Sequence, residues 1–349
     1  FTGNGYPDMV RFGRSRKQAV LAIDSNNTGV LQPPVVIMDV PGFDNDTSQR
    51  PDRIGIGDLD LDGRSDVVVP TGAARSVIRF MFDGVSWQRT DLAFEGVPVK
   101  LALFEMDGDG ALDLLAVDRE ANAIVRALGD EAGGFAPQLT PVAELAGVVR
   151  WLETGDLDRD GWTDAVVLEE RFGEDRLTIA WNLGDGTFSV ARLDAGLTEG
   201  EQVVLVDVNG DTLADLVVTT GEGGNATPLV FLQRDARGWT DARPIGSLSE
   251  TRSVARFDWN GDGTNELLLG PQRGSLGDPL PTPMVALYES DALCRADVTM
   301  DGRVNFFDLA AFLGLFAAAD PAADLAEPAG VFDVRDVLAM LESIGVGCP

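Results

Sequence analysis

Five times along the chain a short apolar run follows a tight cluster of acids: Val67-Val68-Val69, Leu114-Leu115-Ala116, Ala165-Val166-Val167, Leu216-Val217-Val218 and Leu267-Leu268-Leu269. An apolar or alternating segment precedes the cluster, as at Arg53 to Gly57, Lys100 to Phe104 and Val203 to Val206. Runs this short, bounded by Asp and Gly, predict two strands joined by an acidic loop. A third strand is predicted at Val77 to Phe82, Ile124 to Leu128, Leu177 to Asn182, Leu229 to Gln233 and Val285 to Tyr288. Turn-rich links such as Asp83-Gly84-Val85-Ser86-Trp87 and Gly184-Asp185-Gly186-Thr187-Phe188 then lead to a fourth. Four short strands in about 50 residues is the cadence of a propeller blade. A parallel β-helix needs shorter coils, and a βα repeat needs a helical period that the chain lacks before residue 306.

The acids keep one register, close to D-x-[DN]-x-D-G-x-x-[DE]. They stand at Asp58, Asp60, Asp62 and Asp66; at Glu105, Asp107, Asp109 and Asp113; and at Asp156, Asp158, Asp160 and Asp164. Two further copies have Asp207, Asn209, Asp211 and Asp215, and Asp258, Asn260, Asp262 and Glu266. From Asp66 through Asp113, Asp164 and Asp215 to Glu266 the closing acids are 47, 51, 51 and 51 residues apart, an internal repeat. Asn4-Gly5-Tyr6-Pro7-Asp8 matches the back half of a sixth copy, so the chain begins inside a repeat. Without an initiator Met or a signal peptide, it reads as a fragment or processed form whose upstream part is missing.

Such a loop has a mechanism of its own. A tight turn brings the acids at positions 1, 3 and 5 together, Gly at 6 permits the turn, the carbonyl at 7 points inward, and the acid at 9 closes the shell. The seventh positions are Arg64, Ala111, Trp162, Leu213 and Thr264. A hard, all-oxygen, high-coordination site suits calcium, whereas magnesium prefers fewer carboxylates and more retained water. Loops 58–66 and 156–164, with four Asp each, are expected to bind best. Glu105 has a longer stem that shifts the geometry, and Thr212, in place of the turn Gly, is expected to weaken its loop most.

These repeats resemble the FG-GAP or VCBS type, known from calcium-bearing β-propellers of integrin α-subunits and of bacterial surface and secreted proteins. The resemblance covers about residues 1 to 290. It implies a mainly β fold, a propeller of about six or seven four-stranded blades, incomplete where a fragment cuts it. It also implies structural calcium at the motif positions above, about five ions in all. Activity stays open, because the same blades serve adhesion, sugar binding and, in some relatives, polysaccharide lyase chemistry.

The pattern changes after Asp291. Asp297, Thr299, Asp301, Arg303, Asn305 and Asp308 fall at positions 1, 3, 5, 7, 9 and 12 of an EF-hand-like calcium loop with Gly302 at 6. A helix is predicted from near Asp308, with Leu309, Phe312, Leu313 and Phe316 on one face. A second segment, Asp324 to Asp336, has one extra residue and lacks acids at the third and fifth places. It is expected to keep the fold, lead into a helix Val337 to Ile344, and bind metal poorly or not at all.

Two loop–helix units with Asp closing the first loop resemble a dockerin domain. Cys294 before the first loop and Gly347-Cys348-Pro349 at the end resemble, more narrowly, the GC-type dockerins of secreted bacterial proteins. This resemblance covers residues 294 to 349 and implies a small α-helical domain, one further calcium ion, and a cohesin-like partner on another chain. Partner contacts fall to Phe306-Phe307 and Val334-Arg335, the alternative for the phenylalanines being a place in the small core. The antiparallel packing of such units implies a Cys294–Cys348 disulfide, with two unpaired thiols as the alternative. The disulfide and the weak calcium sites of extracellular modules favour a secreted or cell-surface bacterial protein.

Composition narrows the chemistry. The 57 acids and 27 bases give a net charge of −30, only Lys17 and Lys100 are lysines, and histidine is absent. Binding to a nucleic-acid backbone is therefore not expected, and Ser-His-Asp, Cys-His and His-zinc systems are excluded. Six calcium ions would contribute +12, leaving a solvated acidic surface of about −18. The longest nearly apolar stretch, Phe306 to Ala319, contains Asp308 and is too short to span a bilayer. The favoured function is a non-catalytic binding or adhesion propeller for a carbohydrate or protein, tethered through its C-terminal module. The alternative is a carbohydrate-active enzyme such as a lyase, which needs a Tyr, His or Lys base that this chain offers only at Tyr6, Tyr288 and its two lysines. Trp162 and Trp259 are candidates for stacking on a sugar ring, the commoner fate of a propeller Trp being inter-blade packing. A third reading makes the propeller a spacer.

Overall fold

A computed structural model of the chain describes the backbone of residues 9–15, 18–24, 26–27, 30–31, 35–40, 54–71, 75–171, 173–197, 200–208, 213–220, 228–235, 237–240, 242–244, 251–257, 266–271, 286–288, 296, 298, 304, 306–318, 323, 325–326 and 331–346. Side chains are described within these from residue 54 onward, except at 194–197, 220, 235, 251–253, 257, 266, 269–271, 286–288, 342 and 345–346. The N-terminal residues Asn4 to Asp8, read as a partial repeat, lie outside them.

The predicted cadence is present as a series of antiparallel sheets. The first four-stranded sheet runs Gly55–Gly57, Asp66–Pro70, Ser76–Phe82 and Trp87–Ala93, in sequence order. The second runs Pro98–Phe104, Asp113–Asp118, Ala123–Ala127 and Thr140–Glu144. The third runs Val148–Gly155, Asp164–Arg171, Glu174–Asn182 and Phe188–Leu197. The fourth combines Gly200–Val206, Asp215–Thr220 and Leu229–Phe231 with the short strand Arg243–Pro244. Three-stranded sheets precede and follow them, Met9–Ser15 with Gln18–Asp24 and Val35–Val40, and Thr251–Phe257 with Glu266–Pro271 and Ala286–Tyr288. The predicted third strand of the fourth copy breaks at Leu232, where a separate two-stranded hairpin begins, Gln233–Asp235 paired with Gly238–Trp239.

Burial explains the order of strands. Every residue of Asp66–Pro70 and of Asp113–Asp118 is buried, because a continuous apolar run is covered on both faces. The outer strand Trp87–Ala93 alternates and is mostly exposed.

The chain clusters into two compact units. One comprises residues 1–152, 162–165 and 180–191, and its core joins Leu59, Val68 and Val77 of the first sheet to Leu101, Leu114 and Val125 of the second. Gly55 permits that approach: a Cβ there would lie 2.6 Å from Leu103 Cγ. The other comprises residues 153–161, 166–179 and 192–349, where Val204, Val206, Val217 and Val230 pack with Val254 and Leu267.

Two helices follow the sheets, α1 Phe306–Ala317 and α2 Val334–Val346. Phe312 and Met340 are fully buried in a small core with Ala296, Val298 and Ala323. Phe316 stacks tilted on Phe312 and edge-on to Phe332. Both helices start earlier than the sequence pattern predicts. For α2 the reason is an N-cap: Asp333 Oδ1 accepts the Arg335 N–H at 2.8 Å, so the helix begins at Val334 rather than Val337. The buried stripe of α1 is also rotated from the predicted one. Leu313 is exposed, about 100° around the helix from Phe312, while Leu309, Leu315 and Phe316 pack inward. No helix among the described residues is long and apolar enough to cross a membrane.

Candidate metal centres

Each acidic loop joins the first strand of a sheet to the second, so the ladder register fixes its two ends: Gly57 pairs with Asp66, and Phe104 with Asp113. Within the loop the backbone turns left-handed twice. Position 6 does so through Gly63, Gly110 and Gly161, as the motif requires, at φ of 85°, 89° and 92°. Position 4 does so as well, through Leu61 at 57°, Gly108 at 88° and Arg159 at 60°. The second turn is a feature the sequence does not announce, since two of its three residues carry a Cβ.

These turns gather the carboxylates. Single oxygens of Asp58, Asp60 and Asp62 lie within 4.8 Å of one another, as do those of Glu105, Asp107 and Asp113 and those of Asp156, Asp158 and Asp164. That spacing lets three carboxylates share one hard cation. In loop 58–66, Asp58 accepts the N–H groups of Asp62 at 3.0 Å and Gly63 at 2.8 Å. Asp60 Oδ1 is buried and has no hydrogen-bond partner. An orphaned carboxylate oxygen beside two other acids is the place a cation would fill. Arg64, at position 7, turns its guanidinium back to Asp62 at 3.0 Å.

In loop 105–113 the longer Glu105 folds onto its own backbone, Oε1 accepting the Asp107 and Gly108 N–H groups and Oε2 that of Gly110. Burial works to raise its pKa, and these donors together with the Asp109 N–H outweigh it, holding the carboxyl below its usual range. Asp109 accepts the N–H of Ala111, which is fully buried at position 7.

The ninth acid has a second task. Asp66 Oδ2 accepts the Leu59 N–H at 3.0 Å, and Oδ1 that of Phe82 at 2.9 Å. Asp113 takes Met106 and Gly129, both at 2.7 Å. Asp215 takes Val208 at 3.0 Å and Gln233 at 2.7 Å, and Asp164 takes Asn182 at 2.8 Å. All four are buried, and the first three tie the start of the loop to the last residue of the third strand or to a residue just beyond it. Burial pushes the Asp113 carboxyl up to about 6, against its two N–H donors, and the charges of Asp107 and Asp109 add to the rise. Asp66 is raised for the same reasons, burial first.

In loop 156–164, Asp156 accepts the Gly161 N–H at 3.1 Å and Asp158 Oδ1 that of Asp160 at 3.3 Å. Trp162 is half-buried. Its indole lies over Gly184, where a Cβ would come within 2.4 Å, and reaches toward Gly108 of the preceding loop.

In the fourth loop Asp207, Leu213 and Asp215 are described, while Asn209, Asp211 and Thr212 lie outside the described residues. So do Asp258, Trp259, Asn260, Asp262, Thr264 and the side chain of Glu266, together with Asp297, Thr299, Asp301, Arg303, Asn305, Cys294 and Cys348. Asp308, in the first turn of α1, is fully buried. Asp336 is its counterpart in α2, buried and accepting the Ala326 and Asp333 N–H groups at 2.9 Å each. Burial works to raise the Asp336 pKa and its backbone donors more than reverse the effect, leaving it lowered. Phe306 and Phe307 are each 72% exposed, so they do not fill the core, a role taken by Phe312, Phe316 and Phe332. Val334 and Arg335, in the first turn of α2, are exposed too.

The FG-GAP-like repeat family matches residues 106–167 and 156–218. The chain is mainly β, a succession of four-stranded antiparallel sheets that carries FG-GAP-like repeats over residues 106–218. Among solved structures it is similar to the Tc holotoxin pore of Photorhabdus luminescens, at 17% identity and a TM-score of 0.41 over 83% of this chain, which spans 14% of that one. It is similar also to the Dos1 propeller, at 10% identity and a TM-score of 0.42, covering 76% of this chain and 66% of the other. A gluconolactonase from Xanthomonas campestris aligns at 17% identity and a TM-score of 0.38, covering 65% and 69%. No curated protein matches the sequence.

Proposed function

We propose that this protein is a non-catalytic, extracellular binding or adhesion propeller, stiffened by structural calcium and tethered to a cohesin-like partner through residues 294 to 349. The observation that supports it best is the recurrence, in three loops, of three carboxylates within 4.8 Å of one another, one of them with the orphaned Asp60 Oδ1. All the donors are hard oxygens, which fits calcium. The residues that would hold it are the acids at positions 1, 3, 5 and 9 with the carbonyl at 7. Calcium would supply no chemistry beyond charge neutralisation and rigidity. The exposed Phe306, Phe307 and Val334 at the starts of α1 and α2 support a partner-contact role for that end of the module.

The reading is tested in two arms. Melting with calcium and after chelation should differ strongly, since a ligand bound only by the folded state adds about 2.7 kcal/mol per site at 100 times its Kd. An unchanged melt after the metal is shown to be gone rejects calcium. A glycan array probed in millimolar calcium and after chelation, with folding followed in parallel, then separates a carbohydrate ligand from a protein one.

A further inference from the structure

Each of the three described acidic loops is overlaid by a hairpin from the next sheet along the chain, and the residue at the tip of that hairpin differs. Over loop 58–66 lies the turn bridged by Gly129 and Phe135, where a Cβ at Gly133 would come 3.1 Å from Leu59 Cβ. Over loop 105–113, the Gly186 N–H donates to the Met106 carbonyl at 2.9 Å, and a Cβ at Gly186 would lie 3.3 Å from Asp107 Cβ. Over loop 156–164, Gln233 Nε2 donates to the Leu157 carbonyl at 2.7 Å. Gly133, Gly186 and Arg237 follow the ninth acids Asp113, Asp164 and Asp215 by 20, 22 and 22 residues, so they are counterparts. Two hairpins offer a glycine; the third offers a guanidinium.

That guanidinium is engaged. Arg237 Nε and Nη2 both donate to Asp158 Oδ2, at 2.9 and 2.7 Å, and the Asp158 side chain is 5% exposed. Its counterpart in loop 58–66 is Asp60, the acid with the orphaned oxygen. A charge-assisted pair withdrawn from solvent on the acid side is screened little by salt.

We propose that Arg237 is an internal rival to the metal. It holds the third-position carboxylate of loop 156–164, so this loop takes up calcium less tightly than loop 58–66 although both have the same four aspartates. The proposal rests on the calcium reading above, and it separates two loops that the sequence alone places together as the best binders.

The test uses the full chain and terbium displaced by calcium, because Trp162, at position 7 of loop 156–164 and reaching toward Gly108 of loop 105–113, sensitises a lanthanide in either loop. The component lost in Asp156→Asn defines the part of the signal that belongs to loop 156–164. Arg237→Gln should tighten calcium at this loop about tenfold or more, from removal of one charge-assisted contact. Arg237→Gly, which restores the residue of the other two hairpins, should do the same, and Arg237→Lys should tighten it less. The component lost in Asp60→Asn, which reports loop 58–66, should not move. An unchanged or weaker affinity at the Trp162 loop in both neutral variants, with wild-type circular dichroism, overturns the proposal while calcium binding at loop 58–66 stands. Absence of any calcium or terbium binding overturns the calcium reading and this proposal together.

Discussion

Loops 58–66 and 156–164 have the same acids at the same four positions and the same left-handed turns at positions 4 and 6. They nevertheless present different electrostatics. In the first, the acid at position 3 ends in a buried oxygen with no donor; in the second, the acid at that position is bound twice by an arginine 79 residues further on. A ligand set read from a motif therefore defines what a loop can hold, while the neighbouring hairpin decides how freely it is held. Loop 105–113 makes the point from the opposite side, since Glu105 spends its acceptors on three N–H groups of its own loop.

Substitutions at matched positions separate what the two loops share from what they do not. The largest effect is expected at the ninth acid, which belongs to the shared frame. Asp66→Ala and Asp164→Ala should each lower stability in chelator by about 2–4 kcal/mol, through buried N–H groups left without acceptors. Denaturant melts giving clearly unequal losses would show that the two frames differ after all. A smaller effect should differ in sign between the loops. In chelator, Asp60→Asn removes an uncompensated buried charge and should stabilise, whereas Asp158→Asn breaks the Arg237 pair and should destabilise, each by about 1 kcal/mol. Thermal shifts of the same sign would refute the asymmetry. The smallest effect is the backbone. Leu61→Gly should raise stability by up to about 1 kcal/mol, because Leu61 is half-exposed and sits at a φ of 57° that Gly adopts without steric cost. Gly108 already occupies that place in loop 105–113. A lower melting point in Leu61→Gly would mean that the leucine side chain, and not the turn, stabilises the loop.

The repeat period, the order of strands and the acids of each loop were legible in the sequence, because apolar runs, Gly and Asp report local conformation directly. Strand ends came within a few residues, and the fully buried second strands matched their apolar runs. The start of α2 was missed although its signal, Asp333 three residues before Asp336, is local. Contacts between distant segments left no such signal. The ninth acid as the tie between loop and third strand, Trp162 lying over Gly184, and the outward turn of Phe306 and Phe307 all depend on which surfaces meet. So does Arg237: on the page it is one of 25 arginines in an acidic chain. Local pattern alone fixed which residues form strands and which form acidic loops, since that is settled within a dozen positions. Which carboxylate is paired, orphaned or buried was decided only by tertiary structure, because desolvation and charge pairing belong to neighbours in space.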